Sequence, residues 1–337
     1  MFIESLRLQN FRCHADSKYY FDKSTFIEGE NGSGKTSVLE AVYLLLNLKS
    51  FKEPSVRSIV SFKGEYLRLE GEYNNESNSG DLIYFYDSSR TLKKNGVCVL
   101  DIPEYLTQYP VFCYSPDTST ILSKDQKVRR SYIDRLCFYH DHTHIFDLRY
   151  YNKLLLLKSA EFQKPKFDKI YIDSLNEKII EICYKISLRR LKAANMISER
   201  LCLLYKNFGK DDEIYSLDYA TNCNDKTLLS KELNSRKCLY GIHRDRFYSK
   251  NMGKVYDKFS SFGQKKTFEL LVLYAILIDV EELLKTGIIT LLDDFEAGLD
   301  EKRSSTFFSI FSSKRQVIMT GVKNRIFSGI KTISLWS

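Results

Sequence analysis

The 337-residue chain has a single tryptophan, 5 prolines and 15 glycines, and none of its 8 cysteines forms a C-x-x-C pair. Such a composition, with 28% charged and 43% hydrophobic residues, excludes collagen-like repeats, mucin-like stalks and wholesale disorder. Without paired cysteines there is neither a zinc ribbon nor a thioredoxin-type motif, and the thiols are expected to be free and buried. Long apolar runs are missing too. The longest, Leu270 to Ile278, has nine residues between Glu269 and Asp279, where crossing a bilayer takes ~18–20. No membrane partner is expected. The opening Met-Phe-Ile-Glu-Ser-Leu-Arg-Leu lacks the basic start, apolar stretch and cleavage site of a secretory signal, so it reads as an edge or first strand of a cytoplasmic protein.

What is present is charge of one sign in one place. The net charge is +8, and residues 121–210 hold 19 Lys or Arg against 10 Asp or Glu, a surplus larger than that of the whole chain. A basic stretch in an otherwise balanced protein points to a polyanion, because phosphates attract Lys and Arg and release counterions on contact. A solvated helix surface would look the same in composition.

Hydrophobic periodicity divides the chain. Residues 6–20 and 24–28 have strand character, Ser37 to Leu48 carries apolar residues at helical spacing, and 66–73, 82–86 and 97–100 read as further strands separated by loops at 74–80 and 93–96. From about Ser123 to Phe208 glycine and proline nearly vanish. Two long antiparallel helices are expected there, Arg129 to Ala160 and Lys169 to Tyr205, broken at Lys164-Pro165. Polar, turn-prone sequence at 209–224 and 230–236 leads to a β-like stretch at 239–247. A helix at 264–284, a buried strand at 288–292, a helix at 301–311 and a strand at 316–319 follow.

Gly29-Glu30-Asn31-Gly32-Ser33-Gly34-Lys35-Thr36 fits G-x-x-x-x-G-K-[ST] between a predicted strand and a predicted helix, the setting of a phosphate-binding P-loop. Glycines let successive N–H groups face a phosphate at the positive end of the helix, and Ser37 follows in its first turn. Lys35 would reach the β and γ phosphates of ATP, and the Thr36 hydroxyl would take one place on Mg²⁺. A complementary strand ending in carboxylates is supplied by Ile288 to Asp294: Asp293 is the Mg²⁺-side carboxylate and Asp294 the candidate base that orients water. Ser260-Ser261-Phe262-Gly263-Gln264 opens the helix before that strand and offers a second set of anion donors, although an N-cap by Ser261 explains the serine equally simply. The histidines at 140, 142 and 144 invite a metal reading, which is set aside because the segment runs from helix to loop without further ligands in sequence.

With these motifs in place, the chain resembles the RecF family, bacterial DNA repair ATPases with an ABC/SMC-like head. The resemblance rests on Leu6 to Arg12, Gly29 to Leu44, Ser115-Pro116-Asp117, Arg129 to Asp134, Gly241-Ile242-His243-Arg244-Asp245 and Leu291 to Asp300. It implies an α/β P-loop ATPase head made from N- and C-terminal segments (1–120 and 238–337) around an inserted helical domain (121–237). It also implies a signature in trans at Ser261, Gly263 and Gln264, a D-loop ending at Asp300, and Thr320 in the place of a switch histidine. Arg12 is a candidate phosphate contact or a surface arginine, and His243 and Arg244 are candidate reporters of nucleotide or DNA or a structural strand-end pair. Departures from the family pattern are Ile242 for Pro, Arg246 for Asp, and Ala297-Gly298 for Ser-Glu in the D-loop, which predicts weak hydrolysis.

The function implied by the resemblance is an ATP-dependent homodimer that binds single-stranded or gapped DNA and its junctions with duplex, and helps load RecA recombinase with RecO and RecR. The rival is an SMC-like head that serves as a scaffold in a defence or chromosome-associated complex.

Overall fold

The apolar alternation at the N-terminus folds as β1 (Phe2–Phe11), which turns back into β2 (His14–Tyr20). The computed structural model describes the chain except residues 63, 76–77, 117–119, 208–214, 256–260, 325–326 and 336–337 and the side chains of 75, 206 and 207. β3 (Ser24–Gly29) runs into α1 (Lys35–Asn47), followed by β4 (Leu67–Asn75), β5 (Asn78–Tyr86), β6 (Arg90–Lys94), β7 (Val97–Cys98), α2 (Ile102–Gln108) and β8 (Val111–Tyr114). Next come α3 (Gln126–His140), α4 (Thr143–Phe162), α5 (Lys169–Asn207), β9 (Tyr215–Ala220), α6 (Thr227–Ser235), β10 (Arg246–Asn251) and β11 (Lys254–Val255). The chain ends with α7 (Phe262–Leu284), β12 (Ile289–Leu292), α8 (Glu301–Ser312), β13 (Gln316–Gly321) and β14 (Lys331–Leu335). Residues 1–118 and 262–337 form one unit and residues 119–261 another.

The first unit has two sheets. One is antiparallel in the order β2-β1-β4-β5-β6-β7, and the other is parallel in the order β14-β3-β13-β12-β8. α1 touches strands of both. Its Val38, Leu39, Ala41, Val42, Leu44, Leu45 and Leu46 are fully buried in one core with Leu8, Leu69, Ile289 and Leu291. A helix apolar on all sides is stable only when enclosed, and each large side chain contributes about 1.5–3 kcal/mol by leaving water. That enclosure fixes the helix whose N-terminus follows the P-loop. The Ile-Thr-Leu-Leu run of β12 is buried throughout, as expected of an inner parallel strand. Because β3, β13, β12 and β8 lie side by side and run the same way, Gly29, Thr320, Asp293 and Ser115 all fall at one edge of the sheet. In open parallel sheets that edge is where ligands bind.

The second unit packs α3, α4 and α5 with the antiparallel sheet β11-β10-β9. Arg190 on α5 is its buried hub: the guanidinium pairs with both oxygens of Asp134 at 2.8 Å and with Asp245 at 2.7 Å, and Tyr219 donates to Asp245 at 2.5 Å. The segments around Asp134 and Asp245, two of those that carry the family resemblance, are thus joined inside this unit.

Several expectations are corrected. The inserted unit extends to 261 rather than 237, because β10 pairs along its whole length with β9. The first long helix is two, α3 and α4, since the Asp141 carboxylate takes the N–H and hydroxyl of Thr143 at 2.9 and 2.6 Å and starts a new helix. Asp225 does the same for Thr227, so α6 stands where turn-prone sequence is expected, and β9 occupies part of the other such stretch. β1 is the first strand, one of the two readings of the N-terminus, but lies between β2 and β4 rather than at an edge, and strand pairing reaches Asn75 and Asn78, and Lys94 and Val97, inside the loops expected at 74–80 and 93–96. All eight cysteines are free, but only Cys137 and Cys183 are buried, and Cys13 and Cys98 are exposed. Among the described residues no helix is long and apolar enough to cross a membrane.

Candidate nucleotide-binding site

Gly34 caps α1 in the left-handed region at φ 95, with no side chain capping the helix. A Cβ there would stand 2.8 Å from the His14 ring and 2.9 Å from Cys13 Sγ, so glycine is required by space as well as by dihedral. The first N–H groups of α1 are therefore left to a ligand or solvent. Lys35 is buried inside the curve of the loop, where Nζ donates to the carbonyls of Gly29 and Glu30, each at 2.8 Å. The Ser33 hydroxyl is buried without a hydrogen-bond partner. An orphaned hydroxyl beside an uncapped helix start and a buried ammonium is what a phosphate group would complete.

Asp293 joins the two halves of the unit. Its Oδ1 accepts the Thr36 hydroxyl at 2.9 Å and the Thr320 hydroxyl at 2.7 Å, its Oδ2 accepts the Ser115 hydroxyl at 2.8 Å, and its N–H donates to the Tyr114 carbonyl at 2.8 Å. Hydroxyl and carboxylate oxygens brought together in this way suit a small hard cation such as Mg²⁺. Asp294 is exposed and left-handed at φ 45; its N–H donates to the Thr320 hydroxyl at 2.9 Å. Lys266 of α7 donates to the carbonyls of Asp294 and Ala297 at 2.7 and 2.8 Å. Burial lowers the Lys266 ammonium to about 8, against the pull of Asp294, Asp293, Glu269 and Glu296. Burial likewise raises the Tyr114 phenol, with Glu269, Asp293 and Asp294 adding to it.

The remaining predicted residues divide. Ser261 and Gln264 are exposed at the start of α7, which begins at Phe262, and Gly263 lies against the carbonyl of Gly298; Ser260 is outside the described residues. Asp300 caps α8, its Oδ1 accepting the Arg303 N–H at 2.8 Å. Gly298, at φ 77, lies beneath the Phe262 ring, and a Cβ would come within 2.4 Å of it. The Ala-Gly departure in the D-loop therefore has a steric counterpart. The Arg12 guanidinium forms a bidentate pair with buried Glu40 of α1, both bonds 2.9 Å, and that pairing raises its pKa. A buried carboxylate needs such a partner, and Arg12 supplies it from the turn whose next residues, Cys13 and His14, lie against Gly34. His243 accepts from the Tyr151 hydroxyl at 2.5 Å and approaches the Cys238 carbonyl at 3.2 Å, and the exposed Arg244 donates to the same carbonyl at 3.2 Å.

Of the histidine cluster, His142 stacks on Phe138, and only His144 meets possible ligands, Asp134 and Cys137, all within 4.8 Å. Asp134 already gives both oxygens to Arg190, so these side chains form part of the buried ion-pair hub. Sequence reasoning missed Ser115 as a partner of Asp293, and Lys266. The Ser-Pro-Asp motif marks the first, with Asp117 outside the described residues; nothing but its place after the Gly-Gln pair marks the second.

Residues 1–325 match the family model of the AAA ATPase domain. The chain belongs to that family. Within it, the RecF resemblance holds across nearly the whole length. The DNA replication and repair protein RecF of Staphylococcus epidermidis is 24% identical, with 98% of this chain and 97% of that protein covered. RecF of Geobacillus thermodenitrificans is 26% identical over 95% and 92%. A solved structure of the recombination mediator protein RecF-ATPrS in the RecFOR pathway superposes with a TM-score of 0.88 at 22% identity, covering 99% of this chain and 95% of that one. The Smc head domain of Pyrococcus yayanosii, with its coiled coil and joint, reaches 0.55 at 13% identity over 99% and 94%. The fold is that of an ABC/SMC-like ATPase head with an inserted, largely helical unit, and the chain is similar to RecF proteins along nearly its whole length.

Proposed function

We propose that this RecF-like ATPase is a DNA repair switch in which Mg²⁺-ATP at Gly29–Ser37 brings two copies together on DNA. The observation that carries the reading is Asp293, whose carboxylate gathers Thr36 of the P-loop, Thr320 of β13 and Ser115 after β8. Thr36 and Asp293 would hold Mg²⁺, which supplies charge neutralisation for the phosphates. Lys35 and the first N–H groups of α1 bind and orient the triphosphate, and Asp294 orients the attacking water.

The partner copy would cover the exposed surface around Ser261, Gly263 and Gln264. Phe262, 59% exposed at the start of α7, supports that burial, because a large exposed aromatic favours being covered. The altered D-loop supports slow hydrolysis. The basic surplus of residues 121–210 supports sequence-tolerant binding of single-stranded or gapped DNA and of junctions with duplex, strongly dependent on salt. RecF proteins named for the RecFOR pathway suggest RecO and RecR as partners here, with RecA loading as the output.

Light scattering of wild type and Asp294→Asn with and without ATP tests the switch, alongside binding to gapped DNA. ATP-dependent dimers, trapped by Asp294→Asn and lost in Lys35→Ala, are expected. DNA binding indifferent to ATP and to Lys35→Ala refutes the reading, and stable association with a nuclease without DNA affinity favours a scaffold instead.

A further inference from the structure

Asp294 is held in a way its role alone does not demand. At φ 45 it occupies the left-handed region, which aspartate enters more readily than most non-glycine residues but still at a cost that its surroundings offset. Both polar groups of its backbone are taken by side chains from different elements. Thr320 of β13 accepts its N–H at 2.9 Å, and Lys266 of α7 donates to its carbonyl at 2.7 Å. Lys266 also holds the Ala297 carbonyl at 2.8 Å, while the Ala297 N–H returns to the Asp294 carbonyl at 3.2 Å, which closes the turn between them. Lysines ordinarily extend the ammonium to water, but this one is 1% exposed.

We propose that Lys266 and Thr320 are positioning residues for hydrolysis, clamping the Asp294 peptide from its two sides and so aiming its carboxylate. The inference rests on the reading of Asp294 as the water-orienting carboxylate. Lys266 ties the helix that begins at the exposed Phe262 to the turn that carries Asp294 in the same chain, so a shift of α7 would be felt at Asp294.

The clamp carries its own pH signature. The groups facing Lys266 are Glu269 on its own helix, Asp293 and Asp294 after β12, Glu296 in the turn, and the Tyr114 ring of β8, whose centroid lies 5.4 Å from Nζ. Burial lowers the ammonium to about 8. As pH rises past that value the lysine loses its charge, and its bonds to the two carbonyls lose the charge assistance that roughly doubles their strength. Turnover should fall on the alkaline side, without any change in the groups that bind phosphate.

The test is steady-state ATP hydrolysis from about pH 6.5 to 9.5 by wild type, Lys266→Met, Lys266→Arg and Asp294→Asn, with thermal midpoints to confirm folding. Lys266→Met should lose about tenfold or more in kcat while KM for ATP stays within about twofold. Lys266→Arg should recover most of that loss and flatten the alkaline limb, because a guanidinium does not titrate there. A folded Lys266→Met enzyme that turns over like wild type, or a Lys266→Arg enzyme with the wild-type alkaline limb, overturns the clamp even though Asp294→Asn is inactive. Should Asp294→Asn hydrolyse ATP at the wild-type rate, the role of Asp294 itself falls, and the clamp with it.

Discussion

Phe262 lies across Gly298, so close that a Cβ at 298 would stand 2.4 Å from its ring. The first residue of α7 and the D-loop thus form a contact that leaves no room for a side chain. With φ at 77, the backbone at 298 also resists any L-residue. Restoring the family's acidic residue by Gly298→Glu should lower the thermal midpoint by about 3 °C or more. In a Phe262→Ala background the loss should shrink, leaving only the dihedral part. Equal losses in both backgrounds would mean that the ring is not the obstacle.

Lys35 is the buried cation of the P-loop. Replacing it with alanine removes a charge-assisted bond to phosphate worth about 1.5–3 kcal/mol, which should weaken nucleotide affinity by at least about tenfold. Titration with a fluorescent ATP analogue measures this directly, and unchanged affinity would place the triphosphate elsewhere.

Ser115 is the residue whose role at this site was not foreseen. Its hydroxyl donates to Oδ2 of buried Asp293, so Ser115→Ala should cost about 1–3 kcal/mol of stability in the head. Nucleotide should recover part of that loss, since a cation at Asp293 would replace the missing donor. A midpoint unaffected by the substitution, with or without Mg²⁺-ATP, would show that Oδ2 needs no such partner.

His243 gives the helical unit a pH dependence. Burial lowers its pKa from the ordinary histidine value, with the nearby Arg244 and Arg130 adding to the effect. The folded state therefore prefers neutral imidazole, while the unfolded chain takes up a proton at about 6.5. This contribution to stability is complete above that pH and is lost as pH falls through the window below it, down to the folded value. His243→Asn should flatten the thermal midpoint between about pH 7 and 5. A wild-type midpoint with no slope there contradicts the assignment.

Much of the head was legible because its chemistry demands fixed local spacing. The P-loop and the Ile-Thr-Leu-Leu-Asp-Asp strand are contiguous, and their residue types are dictated by phosphate and cation. Features made by distant pairings were hidden. The β-like stretch at 239–247 reads as part of the head, but the strand there, β10, begins only at Arg246 and pairs with β9 of the other unit, and the pairing of Arg12 with Glu40 is not visible in the sequence. Two helix starts were readable and were missed: Asp141-His142-Thr143 and Asp225-Lys226-Thr227 use the same local device, an aspartate taking the N–H and hydroxyl two residues on. Lys266 could not be read at all, since an exposed and a buried lysine look alike in sequence.

The order of strands in the parallel sheet has a consequence for biosynthesis. β3 and β8 come from the first part of the polypeptide, yet they never touch, because the late strands β13 and β12 separate them. Thr36 meets Asp293 across 257 residues. A ribosome-bound intermediate that stops short of β12 therefore carries the phosphate loop without its carboxylate, and two strands, β3 and β8, without any of their sheet neighbours. The growing chain gains a finished nucleotide site only after β12 and β13 have been made.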